Sequence, residues 1–217
     1  MSRYSLSKQH HPGRKALWGS ALVLASLACL PGAAFFGPVD IPCHKVLDIL
    51  LGGLSGEPAL TWGNEGVIVL DIRLSRACLA WLTGAALAMS GATLQGALSN
   101  PLADPFTIGV AGGAALGASL AMFLGLPQAG LLPLAAMAGA MAALACVLAL
   151  GRVSGGYSRE NVILAGIIAA TFLSACVSLI KSLDEDSVAA IVFWIMGSFQ
   201  GRAWAEVHFI LPYLLPA

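Results

Sequence analysis

The sequence predicts an all-α polytopic membrane protein, a tightly packed bundle of bilayer-spanning helices. Three observations predict it. First, 58% of the 217 residues are hydrophobic and only 10% are charged, with a mean hydropathy of +0.85. A soluble domain of this size carries a far more polar surface. Second, the apolar residues fall in long uninterrupted runs. A membrane barrel would instead show short segments of alternating polarity, and lipid offers no partners to an open backbone, so the runs must be helices. Third, glycine and alanine recur at four-residue spacing inside those runs, the pattern by which apolar helices approach one another in lipid. Eleven basic and eleven acidic residues cancel, so no global field draws nucleic acid.

Residues 1–15 form a polar tail whose Arg3, Lys8, Arg14 and Lys15 are expected to hold it in the cytoplasm. Ala16 to Val39 is the first span, since about 20 apolar residues cross the hydrocarbon core. Its basic flank and the small residues Pro31-Gly32-Ala33-Ala34 also match a signal peptide, but the run is long for one, which favours a retained span. Residues 40–72 are expected to be a periplasmic loop, with turns at Gly52, Gly53, Gly56, Pro58, Gly63 and Gly66. Within it, Val46, Leu47, Leu50 and Leu51 oppose Lys45 and Asp48, the pattern of a short amphipathic helix at the outer membrane surface.

Ala77 to Ala103 is the second span. Pro105 to Gly151 is long enough for two, turning at Leu126-Pro127-Gln128-Ala129-Gly130, and Asn161 to Ile180 is the fifth. Ser187 to Gly201 is too short to cross alone and predicts a partial or re-entrant helix. Val207 to Ala217 begins a sixth span. Residues 16–217 thus form one transmembrane domain of five full spans and the start of a sixth. Alternation places the Ser99–Pro105 turn and the Arg152–Glu160 loop inside and the Pro127 turn outside. Arg152 and Arg159 agree with that orientation; Arg73 and Arg76 are a basic pair on the other side.

Gly109, Gly113 and Gly117 make one stripe down a helix face, and Gly84 with Ala88, and Ala135 with Gly139 and Ala143, repeat the device. These are expected helix-packing positions. Asn100-Pro101 ends a helix, because the residue before proline avoids the helical region. Pro105 suits a first helical turn, making Ser99–Pro105 a tight cytoplasmic corner. Mid-span polar residues are few (Thr83, Ser90, Thr93, Gln95, Ser119, Thr171, Ser174 and Ser178), and their ordinary role is interhelical hydrogen bonding. No carboxylate, lysine or arginine lies mid-span, which counts against an ion-coupled carrier. No nucleophile or paired-carboxylate arrangement is placed for chemistry, so the chain is not expected to be an enzyme. The separated cysteines Cys29, Cys43, Cys78, Cys146 and Cys176 and the histidines His10, His11, His44 and His208 show no ligand spacing, and no metal site is expected. No GxxxxGK[ST] loop occurs.

The segment from Asp71 through Arg73-Leu74-Ser75-Arg76, Thr83–Gln95 (TGAALAMSGATLQ), Asn100-Pro101-Leu102-Ala103-Asp104-Pro105 and Ile108–Ala114 resembles the FecCD family of ABC permeases. Members of that family import vitamin B12, haem and ferric siderophores. Its pattern reads approximately RLPR, GAALAxSGxxxQ, NPLAxPxxLG and GA. A second block agrees: Asn161–Ile167 (NVILAGI), Trp194–Gly201 (WIMGSFQG) and Trp204 match LxLAG(I/V) and W(L/M)xGSLxGxxW. The resemblance covers roughly Asp71 to Ala217. Ser75 departs from it, since the family commonly has proline there.

The resemblance implies the fold of a type II ABC importer permease in the bacterial inner membrane, with its N-terminus cytoplasmic. It implies alternating access for an iron chelate (a ferric siderophore, with haem and cobalamin as alternatives), driven by a separate ATPase that holds ATP and magnesium; this chain would bind no cofactor itself. Implied partners are a second permease subunit in a homodimer, cytoplasmic ATP-binding subunits, a periplasmic substrate-binding protein and membrane lipid, with no nucleic acid. Arg73 and Arg76 would dock glutamates of the binding protein. Thr171, Ser174 and Ser178, on one helix face, are candidate pathway-lining residues. Trp194, Gly197 and Ser198 belong to a short helix expected near the periplasmic gate. Family members usually have about ten spans, so the chain is expected to be a truncated product or a partial sequence. Two other functions stay open: an ion-coupled secondary carrier, or a non-transporting scaffold or defective truncated permease.

Overall fold

The computed structural model describes residues 12–126, 128–153 and 158–214. The expectations for residues 1–11 and Pro127, for 154–157 of the Arg152–Glu160 loop and for 215–217 of the sixth span lie outside the described residues. Every regular element among the described residues is helical. In chain order these are α1 (Pro12–Ala33), α2 (Cys43–Leu54), a 3-10 turn (Ala59–Trp62), α3 (Gly63–Gly66), a π-helical segment (Val67–Leu74), α4 (Ser75–Leu98), α5 (Val110–Phe123), α6 (Gln128–Val153), α7 (Arg159–Leu183), α8 (Val188–Met196) and α9 (Trp204–Leu214). Among the described residues, three stretches are long and apolar enough to cross a membrane: Ala59–Leu98, Gly130–Val153 and Arg159–Leu183. Leu17–Ala33 and Val110–Phe123 are shorter apolar helices. The chain divides into two compact units, one of Met1–Gly84 with Phe199–Ala217 and one of Ala85–Ser198.

The first unit is built on Ala34, Ile41, Val46, Ile49 and Val69, all buried. α2 buries Val46 and Ile49 and leaves Leu47, Leu51 and Leu54 exposed. A short amphipathic helix is present as expected, but its buried stripe runs through 46, 49 and 50 rather than through Leu47 and Leu51. Lys45 forms an ion pair with Glu65 on α3. α9 packs Val207 against Leu79 and Leu82.

The expected loop at 40–72 is shorter in this unit. Gly63, with a φ of 64°, does end a turn, the 3-10 turn before it, whereas Gly66 is helical; both lie in the helical run that continues through α4. Gly66 is required there by proximity, because a Cβ at this position would collide with the Ala59 carbonyl oxygen and lie 2.7 Å from the Trp62 Cβ. Glycine is read as a breaker when only the local chain is known, and here the demand is steric and comes from the preceding 3-10 turn.

The second unit centres on α5, α6 and α7. In it Gly113 and Gly117 of one expected stripe meet Ala135, Gly139 and Ala143 of another, whereas Gly109 precedes α5 with a φ of 80° and faces Gly166, Ala169 and Ala170 of α7. A Cβ at Gly113 would lie 2.5 Å from both the Gly139 carbonyl oxygen and the Ala143 Cβ. A Cβ at Gly117 would strike the Ala135 carbonyl oxygen, and one at Gly139 the Gly113 carbonyl oxygen. The two backbones therefore touch directly, which only small residues permit. Gly84 and Ala88 are different: nothing lies within 4 Å of a Cβ at Gly84, and Ala88 is exposed. That stripe packs nothing among the described residues.

Asn100, Pro101 and Pro105 lie in the connection between α4 and α5, where Ser99 takes a φ of 47° and Asn100 Oδ1 accepts from the Leu102 amide at 2.9 Å. Pro105 is not in a first helical turn, since α5 begins at Val110. Asp104 and Thr107 hold the intervening backbone instead: Asp104 Oδ1 accepts from the Thr107 amide at 2.7 Å, and the Thr107 hydroxyl accepts from the Asp104 amide at 3.1 Å. The 14 residues of α5 rise only about 21 Å, against a hydrocarbon core of about 30 Å. Irregular backbone beside such a helix needs protein cover, and Ala103 and Ile108 are buried. Gly166 on α7 makes room for it. A Cβ there would lie 2.5 Å from the Thr107 carbonyl oxygen and 2.9 Å from the Ile108 Cα.

Candidate functional site

The π-helical segment Val67–Leu74 concentrates the unusual chemistry of the first unit. A π turn widens the helix and takes carbonyls out of the regular i→i−4 ladder, and side chains collect them here. Trp204 Nε1 donates to the Leu70 carbonyl at 3.1 Å. The buried Ser75 hydroxyl donates to the carbonyls of Asp71 and Ile72, the latter at 3.2 Å. A crevice of about 530 Å³ runs beside this segment, lined by Leu70, Asp71 and Leu74, by Trp204, and by residues of α2 and its following loop including Glu57.

Arg73 points inward. It is only 8% exposed. One terminal nitrogen donates to the Ala34 carbonyl at 2.9 Å and the other to the Val39 carbonyl. Its Nε is buried without a partner, against Gly37, whose Cβ would lie 2.5 Å away. Arg76, one turn on, is half-buried, and its Nε is also buried without a partner among the described residues. The two expected docking arginines therefore sit in different environments.

α7 carries the expected pathway residues. Its N-cap Ser158 accepts from the Asn161 amide at 3.1 Å, and Val162, Ala165, Ala169, Val177 and Ile180 are buried. Thr171, Ser174 and Ser178 lie on the opposite, exposed face, interleaved with Ile167, Ile168, Phe172 and Leu179. The Thr171 hydroxyl donates to the Ile167 carbonyl at 2.9 Å. The face is thus a mostly apolar surface with a few hydroxyls, free of charge between Glu160 and Lys181.

The expected short helix is α8. Trp194 packs against the cluster of Ala118, Ala121, Leu132 and Ala136, and Ile191 is buried with Val177 and Ile180. Gly197 ends the helix with a φ of 72°, and Ser198 is exposed. Among the described residues no three His, Cys, Asp or Glu side chains come together as a metal ligand set.

Sequence reasoning missed four of these features. Ser75 and Trp204 serve the π segment, and Gly166 and the Asp104–Thr107 pair shape the α4–α5 connection. Asp104-x-x-Thr107 carried a readable signal, because short side chains at this spacing bond to local backbone. Ser75 also bonds locally, to carbonyls three and four residues back, but the need for it arises from the π segment. Trp204 and Gly166 depend on residues distant in sequence.

A family model described as the FecCD transport family matches residues 21–217. The ABC transporter permease protein YvrB of Bacillus subtilis is 42% identical over 188 residues, 82% of this chain and 52% of that protein. The cobalamin import system permease protein BtuC of Halobacterium salinarum is 38% identical over 204 residues, 88% of this chain and 53% of that one. A probable iron chelatin transport system permease protein of Helicobacter pylori is 41% identical over 141 residues, 64% of this chain and 42% of that one. The chain spans about half the length of the curated relatives it matches. A solved metal-chelate type ABC transporter in an inward-facing conformation superposes with a TM-score of 0.70 at 30% identity, covering 93% of this chain and 59% of that one.

Proposed function

The chain belongs to the FecCD transport family and is an integral membrane protein, and from that premise we propose that it supplies permease wall to an ABC importer of a metal chelate. The single observation that carries the reading is the family match across residues 21–217, with its motifs in order along the chain. A ferric siderophore is the substrate class we favour, with cobalamin as the alternative, and similarity to relatives named for iron chelatin and cobalamin supports that pair.

Residues of this chain would bind and guide rather than react. A second copy would close against the exposed face of α7, so that Thr171, Ser174 and Ser178 line the path between copies. A chelate presents a large mixed surface, and an uncharged wall with scattered hydroxyls lets it pass without trapping it. α8 would sit at the periplasmic mouth as a gate, with Trp194 its anchor and Gly197 and Ser198 its pivot. Acidic groups of a substrate-binding protein would dock at the Arg73–Arg76 segment, where charge sets orientation and association rate. A cytoplasmic ATPase pair would supply the energy, gripping the inner-membrane permease from the side of its N-terminus, with ATP and magnesium bound there and not here.

Uptake of a radiolabelled ferric siderophore and of labelled cobalamin, measured in cells deleted for the gene and complemented with it, tests the reading. We expect energy-dependent ferric siderophore uptake that survives collapse of the proton gradient while ATP is maintained. Loss of uptake with the gradient alone would point to an ion-coupled carrier. Absence of any uptake, with no ATPase stimulation by binding protein, would point to a scaffold.

A further inference from the structure

We propose that Arg73 is a positioning residue, a clasp that closes the corner between α1 and α2, and that Arg76 is the guanidinium left to meet an acidic partner. The inference rests on the docking reading only for the part played by Arg76. Its starting point is the end of α1. The last carbonyls of a helix have no partner within it. Here the Pro31, Gly32 and Ala33 carbonyls accept from the amides of Ala34, Phe35 and Phe36. The next one, Ala34, is held by Arg73 at 2.9 Å.

The same guanidinium reaches the Val39 carbonyl, so one planar fork ties together two points five residues apart. Between them the chain passes over the guanidinium at Gly37, where a Cβ would sit 2.5 Å from Nε and 2.7 Å from Cζ. The corner is built around the side chain: Ala34 and Ile41 at its ends are buried in the same cluster as Val46, Ile49 and Val69. From Leu17 to Ala33 α1 is mostly exposed, and Ala34, just after its end, is buried. A lysine cannot replace the fork, since an ammonium is a point donor. An arginine 8% exposed, with both terminal nitrogens on carbonyls and its Nε closed over by Gly37, presents little of its guanidinium to a carboxylate from outside. Arg76 is more exposed, and no hydrogen bond or ion pair engages it among the described residues.

Hydrogen–deuterium exchange on the purified protein in lipid nanodiscs tests the clasp without any partner. Arg73→Gln and Arg73→Lys should each speed exchange at residues 34–41 about tenfold, the loss of roughly one charge-assisted hydrogen bond, and leave α5–α7 unchanged. Gly37→Ala should loosen the same peptide, and combining it with Arg73→Gln should add nothing further. Arg76→Gln should leave exchange there unaltered. Unchanged exchange in Arg73→Gln, or loosening spread evenly over the chain, would overturn the clasp. In the assembled importer titrated with its binding protein, Arg76→Gln should raise the half-saturating concentration about tenfold. Arg73→Gln should lower maximal uptake while moving that concentration less than about twofold. The reverse pattern would return the docking role to Arg73. An importer without uptake would sink the transport reading and leave the exchange result to decide the clasp.

Discussion

Replacing Gly139 with alanine adds one methyl group where α5 and α6 come closest. The new Cβ would fall on the Gly113 carbonyl oxygen and lie 3.1 Å from both the Gly113 carbonyl carbon and the Gly117 Cα. All three neighbours are backbone and cannot rotate away. Carbon atoms rest at about 3.5–4.0 Å, so the helices must part by about 0.5–1 Å, and a gap of that size forfeits a quarter to a half of each dispersion contact along the seam. Overpacking of this kind costs about 1–3 kcal/mol. Alanine recovers about 0.5–1 kcal/mol of helix propensity, leaving a net loss of up to about 2.5 kcal/mol. Gly96 on α4 is the control, because nothing lies within 4 Å of a Cβ there and only the propensity gain applies. Unfolding in mixed micelles titrated with SDS, followed by circular dichroism, should show Gly139→Ala destabilised and Gly96→Ala unchanged or slightly stabilised. Equal effects at the two positions would refute the argument that contact between backbones sets the cost.

The remaining expectations follow the same logic. Gly166→Ala should destabilise by about 1–3 kcal/mol and speed hydrogen exchange at residues 104–109, because its Cβ meets the Thr107 carbonyl oxygen at 2.5 Å. Asp104→Ala should cost about 0.5–1.5 kcal/mol in the same unfolding assay, the worth of the hydrogen bond to the Thr107 amide. Ser75→Pro should cost about 1–3 kcal/mol, since it removes the Ser75 amide bond to the Ile72 carbonyl and the hydroxyl bonds to Asp71 and Ile72, while Ala86→Pro in the regular interior of α4 should cost about 3 kcal/mol or more. Lys45→Ala should cost less than about 1 kcal/mol, and the difference should fade at high salt, because the ion pair with Glu65 is partly exposed.

The Ser75 case also shows how far a sequence departure can mislead. Proline at this place in the family pattern reads as a helix start, and serine in its stead reads as a weakened one. The α-helical run begins instead at Gly63, and Ser75 lies inside it with its hydroxyl on the Asp71 carbonyl. A proline lacks the amide for an i→i−4 bond, and the serine hydroxyl serves a carbonyl of the same disturbed turn. Either residue suits a ladder interrupted by a π segment.

Amino-acid order alone determined that the long apolar runs of this protein are helical, because of the cost of an unpaired backbone group in lipid, but not where each helix begins: the run through α4 starts within the expected loop and α5 starts only at Val110. It also placed the short α8, which is too brief to cross, and the small-residue stripes on α5 and α6. Tertiary structure decided which stripe meets which: Gly113 and Gly117 find Ala135, Gly139 and Ala143, while Gly84 packs nothing among the described residues. A four-residue spacing defines a face and says nothing about its neighbour. Tertiary structure likewise decided that Arg73 turns inward and that Pro105 lies in irregular backbone held by Asp104 and Thr107. Charge and proline rules describe the preferences of a chain in isolation. The carbonyls of Ala34 and Val39 come from residues more than thirty positions away, and only folding brings them within reach of a guanidinium.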